Sequence, residues 1–192
     1  MIMTETTSIL FAGVGGQGIV LTSKILSSAL IQAGYDVKMS EVHGMAQRGG
    51  SVTTQVRFGE KVFSPIIGKG EADILVAFEK IEAMRYVDYL KLKGKLIAND
   101  FKIPSAPIFS AKVKYPRGIF ADLEGKVYTK RVHAAEAAKE LGNMKVQNII
   151  ILGVLAKVLG LNNLDWKSSI KKEVKPEFFD LNLKAFEAGY YM

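Results

Sequence analysis

Four glycines fall within six residues, Gly13, Gly15, Gly16 and Gly18, with Gln17 among them. The spacing Gly13-x-Gly15-x-x-Gly18 follows an apolar run and precedes a helical period. Chains that turn this way bring backbone N–H groups against a pyrophosphate. Glu41 stands 23 residues past Gly18, close to where a dinucleotide site places an acid on the ribose. His43 is of a type that serves as a general base, with Glu41 to orient it. Arg48, between Gln47 and Gly49, offers a two-pronged guanidinium to a phosphate or carboxylate. Gly13, Gly15, Gly16, Gln17, Gly18, Glu41, His43, Gln47, Arg48 and Gly49 are therefore the candidates for binding a cofactor or meeting another subunit. His43 is the one catalytic candidate.

Each of these residues has a simpler use. A glycine turn also permits tight packing of strand on helix with no ligand. The polar groups of residues 41–50 can satisfy one another and their own backbone. The turn thus leaves three readings open: a dinucleotide, packing alone, or another phosphate-bearing ligand or protein partner. His133 precedes a run of alanines and reads as a cap or surface residue. There is no nucleophile elbow, Walker lysine motif or EF-hand loop. The chain has no cysteine and only two histidines, so thiolate chemistry, cysteine-held iron–sulfur clusters and a multi-histidine metal site are excluded or disfavoured. No residue set for a self-contained reaction is present.

The elements that must position these residues follow from hydrophobic period. Ser8 to Ala12 reads as a strand buried on both faces. Leu21, Ile25, Ala29 and Ala33 keep a helical period, and Gly34 suits the position after that helix. Residues 36–40 form a second strand, giving a βαβ-type opening. Val52, Thr54, Val56 and Phe58 then alternate with polar residues, and Gly59-Glu60 suits a two-residue turn back into 61–64. Further strands are expected at 72–78, 94–98 and 126–132, with helices at 79–90, 134–141, 146–159, 165–172 and 176–188. Pro104, Pro107 and Pro116 mark an irregular stretch. The expected architecture is one α/β domain over 1–192: a Rossmann-like, mostly parallel sheet with helices on both faces, an inserted β-hairpin near 52–64 and a helical C-terminal third.

With 192 residues, 48% hydrophobic and 23% charged, the composition is that of a globular protein with a sizeable core. Lysine and arginine outnumber acids 26 to 19, but they are dispersed, with small knots at 91–95 and 167–175. No aromatic-basic interleaving suggests nucleic acid. The N-terminus lacks a signal peptide's pattern, and the longest apolar run, 149–161, is too short for the ~20 residues that span a bilayer. A cytoplasmic protein without membrane or nucleic-acid partner is expected.

Three segments together carry a resemblance. Gly13-Val14-Gly15-Gly16-Gln17-Gly18-Ile19-Val20, the stretch from Glu41 to Val52, and the tail Leu181-Asn182-Leu183-Lys184-Ala185-Phe186-Glu187-Ala188-Gly189-Tyr190 resemble the small subunit of indolepyruvate:ferredoxin oxidoreductases. That is the gamma-type component of the 2-oxoacid:ferredoxin oxidoreductases. The likeness runs over essentially the whole chain, and the 43–48 loop favours the arylpyruvate type over its sisters. It implies CoA-dependent oxidative decarboxylation to an aryl-acyl-CoA, with electrons passed to ferredoxin. It implies a large partner subunit carrying thiamine diphosphate and iron–sulfur clusters, with no cofactor firmly bound by this chain. It implies that the glycine turn and the 41–50 loop face that partner or admit coenzyme A. The alternatives are a gamma subunit for pyruvate, 2-oxoglutarate or a branched-chain oxoacid, or a stand-alone dinucleotide-binding redox module.

Overall fold

The computed structural model describes residues 5–43, 49–104, 108, 110 and 113–192. Six strands are present among the described residues: β1 (Thr7–Val14), β2 (Asp36–His43), β3 (Ser51–Gly59), β4 (Ala72–Ala77), β5 (Leu90–Asn99) and β6 (Tyr128–Val132). The described helices are α1 (Ile19–Gln32), α2 (Lys80–Tyr86), α3 (Ile119–Glu124), α4 (Ala134–Glu140), α5 (Gln147–Leu159), α6 (Trp166–Glu173) and α7 (Phe179–Tyr190).

The sheet order is β2-β3-β1-β4-β5-β6. β1, β4, β5 and β6 pair in parallel, and β3 is antiparallel to both β1 and β2. Five strands therefore run one way and β3 alone runs back. Alternate residues of β1 serve two cores: Ile9 and Phe11 face α1, α5 and α7, while Leu10 and Ala12 face α2 and α3. This double burial is why β1 and β4 read as unbroken apolar runs rather than alternating ones.

The antiparallel hairpin is present but displaced from the expected one. Its strands are β2 and β3, with Asp36 opposite Gly59 and His43 opposite Val52. Residues 61–64 form no strand. Gly59 therefore ends β3 instead of turning it. A nine-residue strand inside the sheet needs a long partner on each edge, and β2 offers eight residues where 61–64 offers four. The following loop is drawn over the β3 face instead. Arg57 Nη1 donates to the carbonyls of Ser64 and Ile66, and Ile67 N donates to Gln55 Oε1 at 2.6 Å. Val62 and Ile67 are buried beneath it.

The C-terminal third packs as helices against one face of the sheet. In α5 every residue from Asn148 to Ala156 is buried. α7 crosses α5 at two glycines: a Cβ on Gly153 would sit 2.1 Å from the Phe186 carbonyl, and one on Gly189 would sit 1.9 Å from that of Ile150. The tail segment of the resemblance is thus a close helix–helix seam. The helix expected at 79–90 stops earlier, at Tyr86, because Leu90 already belongs to β5 and pairs with Ala72. Glu79 caps this helix, its Oε2 accepting from the N–H groups of Ile81 (2.6 Å) and Glu82 (3.2 Å).

Candidate functional site

The glycine turn lies at the carboxyl end of β1, where α/β sheets place their ligands. It lines a cleft of about 770 Å³ together with Phe78, Asn99, residues 143–148 at the start of α5, and residues 173–175, 178, 181 and 182. β1 delivers the turn to this place, and α1 leaves it with Gly18 as N-cap at φ 76°. Among the described residues no side chain caps α1, so the positive end of its dipole stands beside the cleft. Gly16, at φ 101°, also has a backbone conformation that side chains disfavour. A Cβ on Gly13 would meet Ile19 Cδ1 at 2.8 Å and Phe78 Cβ at 2.9 Å. Packing demands glycine there, as the simpler reading had it.

Gln17 turns inward. Its Oε1 accepts from Val14 N at 2.8 Å and its Nε2 donates to the Phe78 carbonyl at 2.9 Å. The side chain thus ties the turn to the end of β4, and both ends of its amide are committed to backbone. The β2–β3 connection is tied in as well: Gly15 N donates to the Gly50 carbonyl at 2.9 Å and Gly49 N to the Gly15 carbonyl at 3.5 Å. Gly49 lines the cleft. The turn and the end of the polar stretch, 34 residues apart from Gly15 to Gly49, therefore share one wall. Gln47 and Arg48 lie outside the described residues, as does the side chain of His43. The backbone of His43 ends β2, opposite Val52.

Glu41 does not join this site. It is exposed on β2, paired with Thr54, and β3 separates β2 from β1. Two strand spacings put it roughly 10 Å away across the sheet from β1. A ribose-binding acid would need β2 beside β1, and β3 occupies that place. His133 is the N-cap residue of α4, half-exposed, with Nδ1 at 3.6 Å from Glu136.

Other parts of the cleft escape sequence reasoning. Asn99, buried at the end of β5, donates to the Phe78 carbonyl (3.4 Å) and to Gln147 Oε1 (3.3 Å), and accepts from Ala134 N (3.2 Å). Asn148 donates to the Gly18 carbonyl at 3.3 Å. These amides lock the floor to the starts of α1, α4 and α5. The one sequence signal was an amide in otherwise apolar surroundings, as in Asn148-Ile149-Ile150. Lys145 and Lys175 are exposed on the rim, while Phe101, Phe178 and Leu181 supply apolar wall. Among the described lining residues the titratable groups are Lys145, Glu173 and Lys175, none of them buried. The cleft suits an elongated ligand or segment with an apolar body and an anionic end. Among the described residues it has no group placed for proton transfer, and no cluster of three His, Asp or Glu stands together as metal ligands.

Comparison with known proteins gives a consistent result. Residues 8–192 match the family model for pyruvate ferredoxin/flavodoxin oxidoreductase. The chain is 38% identical over 188 residues to indolepyruvate oxidoreductase subunit IorB of Methanothermobacter thermautotrophicus, covering 95% of each chain. It is 37% identical over 190 residues to the subunit of the same name from Thermococcus kodakarensis, covering 95% of this chain and 93% of that one. A keto/oxoacid ferredoxin oxidoreductase gamma subunit from Geobacter sulfurreducens shares the fold, with a TM-score of 0.75 at 24% identity over 98% of this chain and 96% of that one.

Proposed function

The chain belongs to the pyruvate ferredoxin/flavodoxin oxidoreductase family, and from that premise we propose that it is the gamma-type subunit of a heteromeric indolepyruvate (arylpyruvate):ferredoxin oxidoreductase. The observation that carries this reading is the match, along nearly the whole of both chains, to proteins named as indolepyruvate oxidoreductase subunits. The reaction of the complex is CoA-dependent oxidative decarboxylation of the 2-oxoacid with reduction of ferredoxin, in the cytoplasm. Thiamine diphosphate and iron–sulfur clusters, held by a larger partner subunit, supply the decarboxylation and electron transfer. The residues of this chain do not fit those groups: it has no cysteine to ligate a cluster, and among the described residues no cluster of His, Asp or Glu could hold a metal ion. Its 192 residues make one gamma-type domain. No described helix is long and apolar enough to cross a membrane.

The part this chain plays is positional. The wall formed by Gly15, Gly16, Gly18 and Gly49 meets the partner subunit and admits coenzyme A. The uncapped α1 terminus and Lys145 favour the anionic part of that ligand, and Phe178 and Leu181 favour its apolar arm. Arg48, next to Gly49 in the sequence, serves the same ligand through its guanidinium. His43 and Gln47 act in assembly with the partner rather than in proton transfer.

Co-expression with the large subunit tests the reading. Viologen or ferredoxin reduction driven by indolepyruvate and coenzyme A is expected from the complex and not from the lone chain. Cluster absorbance in the purified lone chain, or turnover without a partner, would refute it. Arg48→Ala is expected to raise the KM for coenzyme A or weaken assembly. If both are unchanged, Arg48 has no place in the site. A dinucleotide module is the second reading, and calorimetry with NAD, NADP and FAD separates the two: binding near 1 μM, about −8 kcal/mol, would favour it. The insertion of β3 between β1 and β2 weighs against it.

A further inference from the structure

The bases that look dispersed in sequence converge at a second place. Lys80, Lys102, Lys114, Arg117 and Arg131 line one cleft of about 740 Å³ beside α3. It opens past the carboxyl ends of β5 and β6, since Asp100 follows Asn99 and Arg131 is the last residue but one of β6. The strip 101–103 separates it from the glycine-turn cleft: Phe101 and Ile103 line the first, and Lys102 lines the second.

This cleft is braced. Asp100 forms ion pairs with both Lys80 and Arg131, and the carboxylate and the lysine are largely buried. Both cations also lie over the Phe120 ring, at 5.4 Å and 4.6 Å from its centroid. Two positive groups are thereby held in fixed positions, with donors left over: an ammonium has three and a guanidinium five. Lys102 rests over Tyr115 at 5.3 Å, and Tyr115 donates its hydroxyl to the buried Glu79 at 2.5 Å. Lys102, Lys114 and Arg117 are exposed, and no acid among the described residues pairs with them. Among the described residues no acid lines this cleft, and Asp100 beside it is matched twice over, so the cleft keeps a positive excess.

The aromatic rings narrow the ligand class. Phe120 and Tyr115 already carry the chain's own cations on their faces, which leaves neither free to stack a base. Fixed and free cations together, without a stacking platform, suit a compact anion of high charge. We propose that this cleft is a second anion site that binds a phosphate group carried by a small molecule.

Calorimetry of the full-length chain with inorganic pyrophosphate at low ionic strength tests the site. Binding tighter than about 1 mM is expected, weakening as salt rises. Lys102→Gln and Arg117→Gln should each weaken it roughly fivefold without unfolding the chain, as both side chains are exposed. Lys167→Gln, in a different basic knot, should leave it unchanged. Titration of coenzyme A on the same variants separates two sources of phosphate. Weakening of both ligands assigns the cleft to the phosphates of coenzyme A, and weakening of pyrophosphate alone assigns it to a free phosphate compound. Absence of pyrophosphate binding, binding indifferent to Lys102 and Arg117, or binding lost when the large subunit assembles would overturn the proposal. In the last case the face would be a subunit interface. None of these failures touches the subunit reading, which is tested by activity of the complex.

Discussion

At the scale of single residues, Gln17 is the clearest instance of a side chain whose work is structural though its neighbours suggest a ligand. Gln17→Ala leaves Val14 N without its partner and the Phe78 carbonyl with only the longer bond from Asn99. A loss of about 1–3 kcal/mol is expected in denaturant unfolding. Gly18→Ala combines a positive φ with a Cβ 2.6 Å from Asn148 Nδ2, while Gly16→Ala meets nothing within 4 Å. Both should destabilise, Gly18→Ala more. Asp100 gives the pH prediction. Burial pushes its carboxyl up, but hydrogen bonds and charge from Lys80 and Arg131 outweigh this and hold it below the ordinary 3.8. A lowered folded-state value means the stabilisation is complete above 3.8 and is lost as pH falls below it. The stability difference between wild type and Asp100→Asn should therefore be largest above ~4 and shrink on acidification. A difference that grows toward low pH would contradict this. Tyr115 is pushed the other way, by burial and by the Glu79 carboxylate beside it, and stays protonated as a donor.

At the scale of elements, the α5–α7 seam is the most exacting. Each glycine there lies against the backbone of the other helix, so no rotamer can relieve an added methyl. Gly189→Ala or Gly153→Ala must push the helices apart, at more than the ~1–3 kcal/mol of ordinary overpacking. A large drop in melting temperature is expected, and a shift of only a degree or two would show that the seam yields. Gly189 was legible as part of a family-like tail but not as a packing contact, because its partner Ile150 lies 39 residues earlier. The hairpin teaches the same lesson. The alternation of 52–58 correctly announced a strand, but alternation says nothing of which strand it pairs with. Gly59-Glu60 looked like a turn because turn chemistry is local, whereas pairing is decided by which edge offers the longest row of partners.

At the scale of the whole molecule, β1, β4 and β5 carry side chains into both cores, so neither core can melt while the other keeps its sheet. One cooperative transition is expected, with the fluorescence of Trp166 and far-ultraviolet circular dichroism coinciding. Two separated transitions would mean that the helical third unfolds alone. By itself the sequence determined the α/β class, the strand–turn–helix opening, the mostly helical end and the absence of cysteine chemistry, because hydrophobic period, glycine spacing and composition are local properties. It also carried the family, through three segments read together. Only the tertiary structure decided that β3 enters between β1 and β2, and so that Glu41 is removed from the glycine turn. Only the fold gathered dispersed lysines and arginines around Asp100 and Phe120. Strand order and charge clustering depend on contacts between residues far apart in the chain, and no local pattern encodes which of those contacts will form.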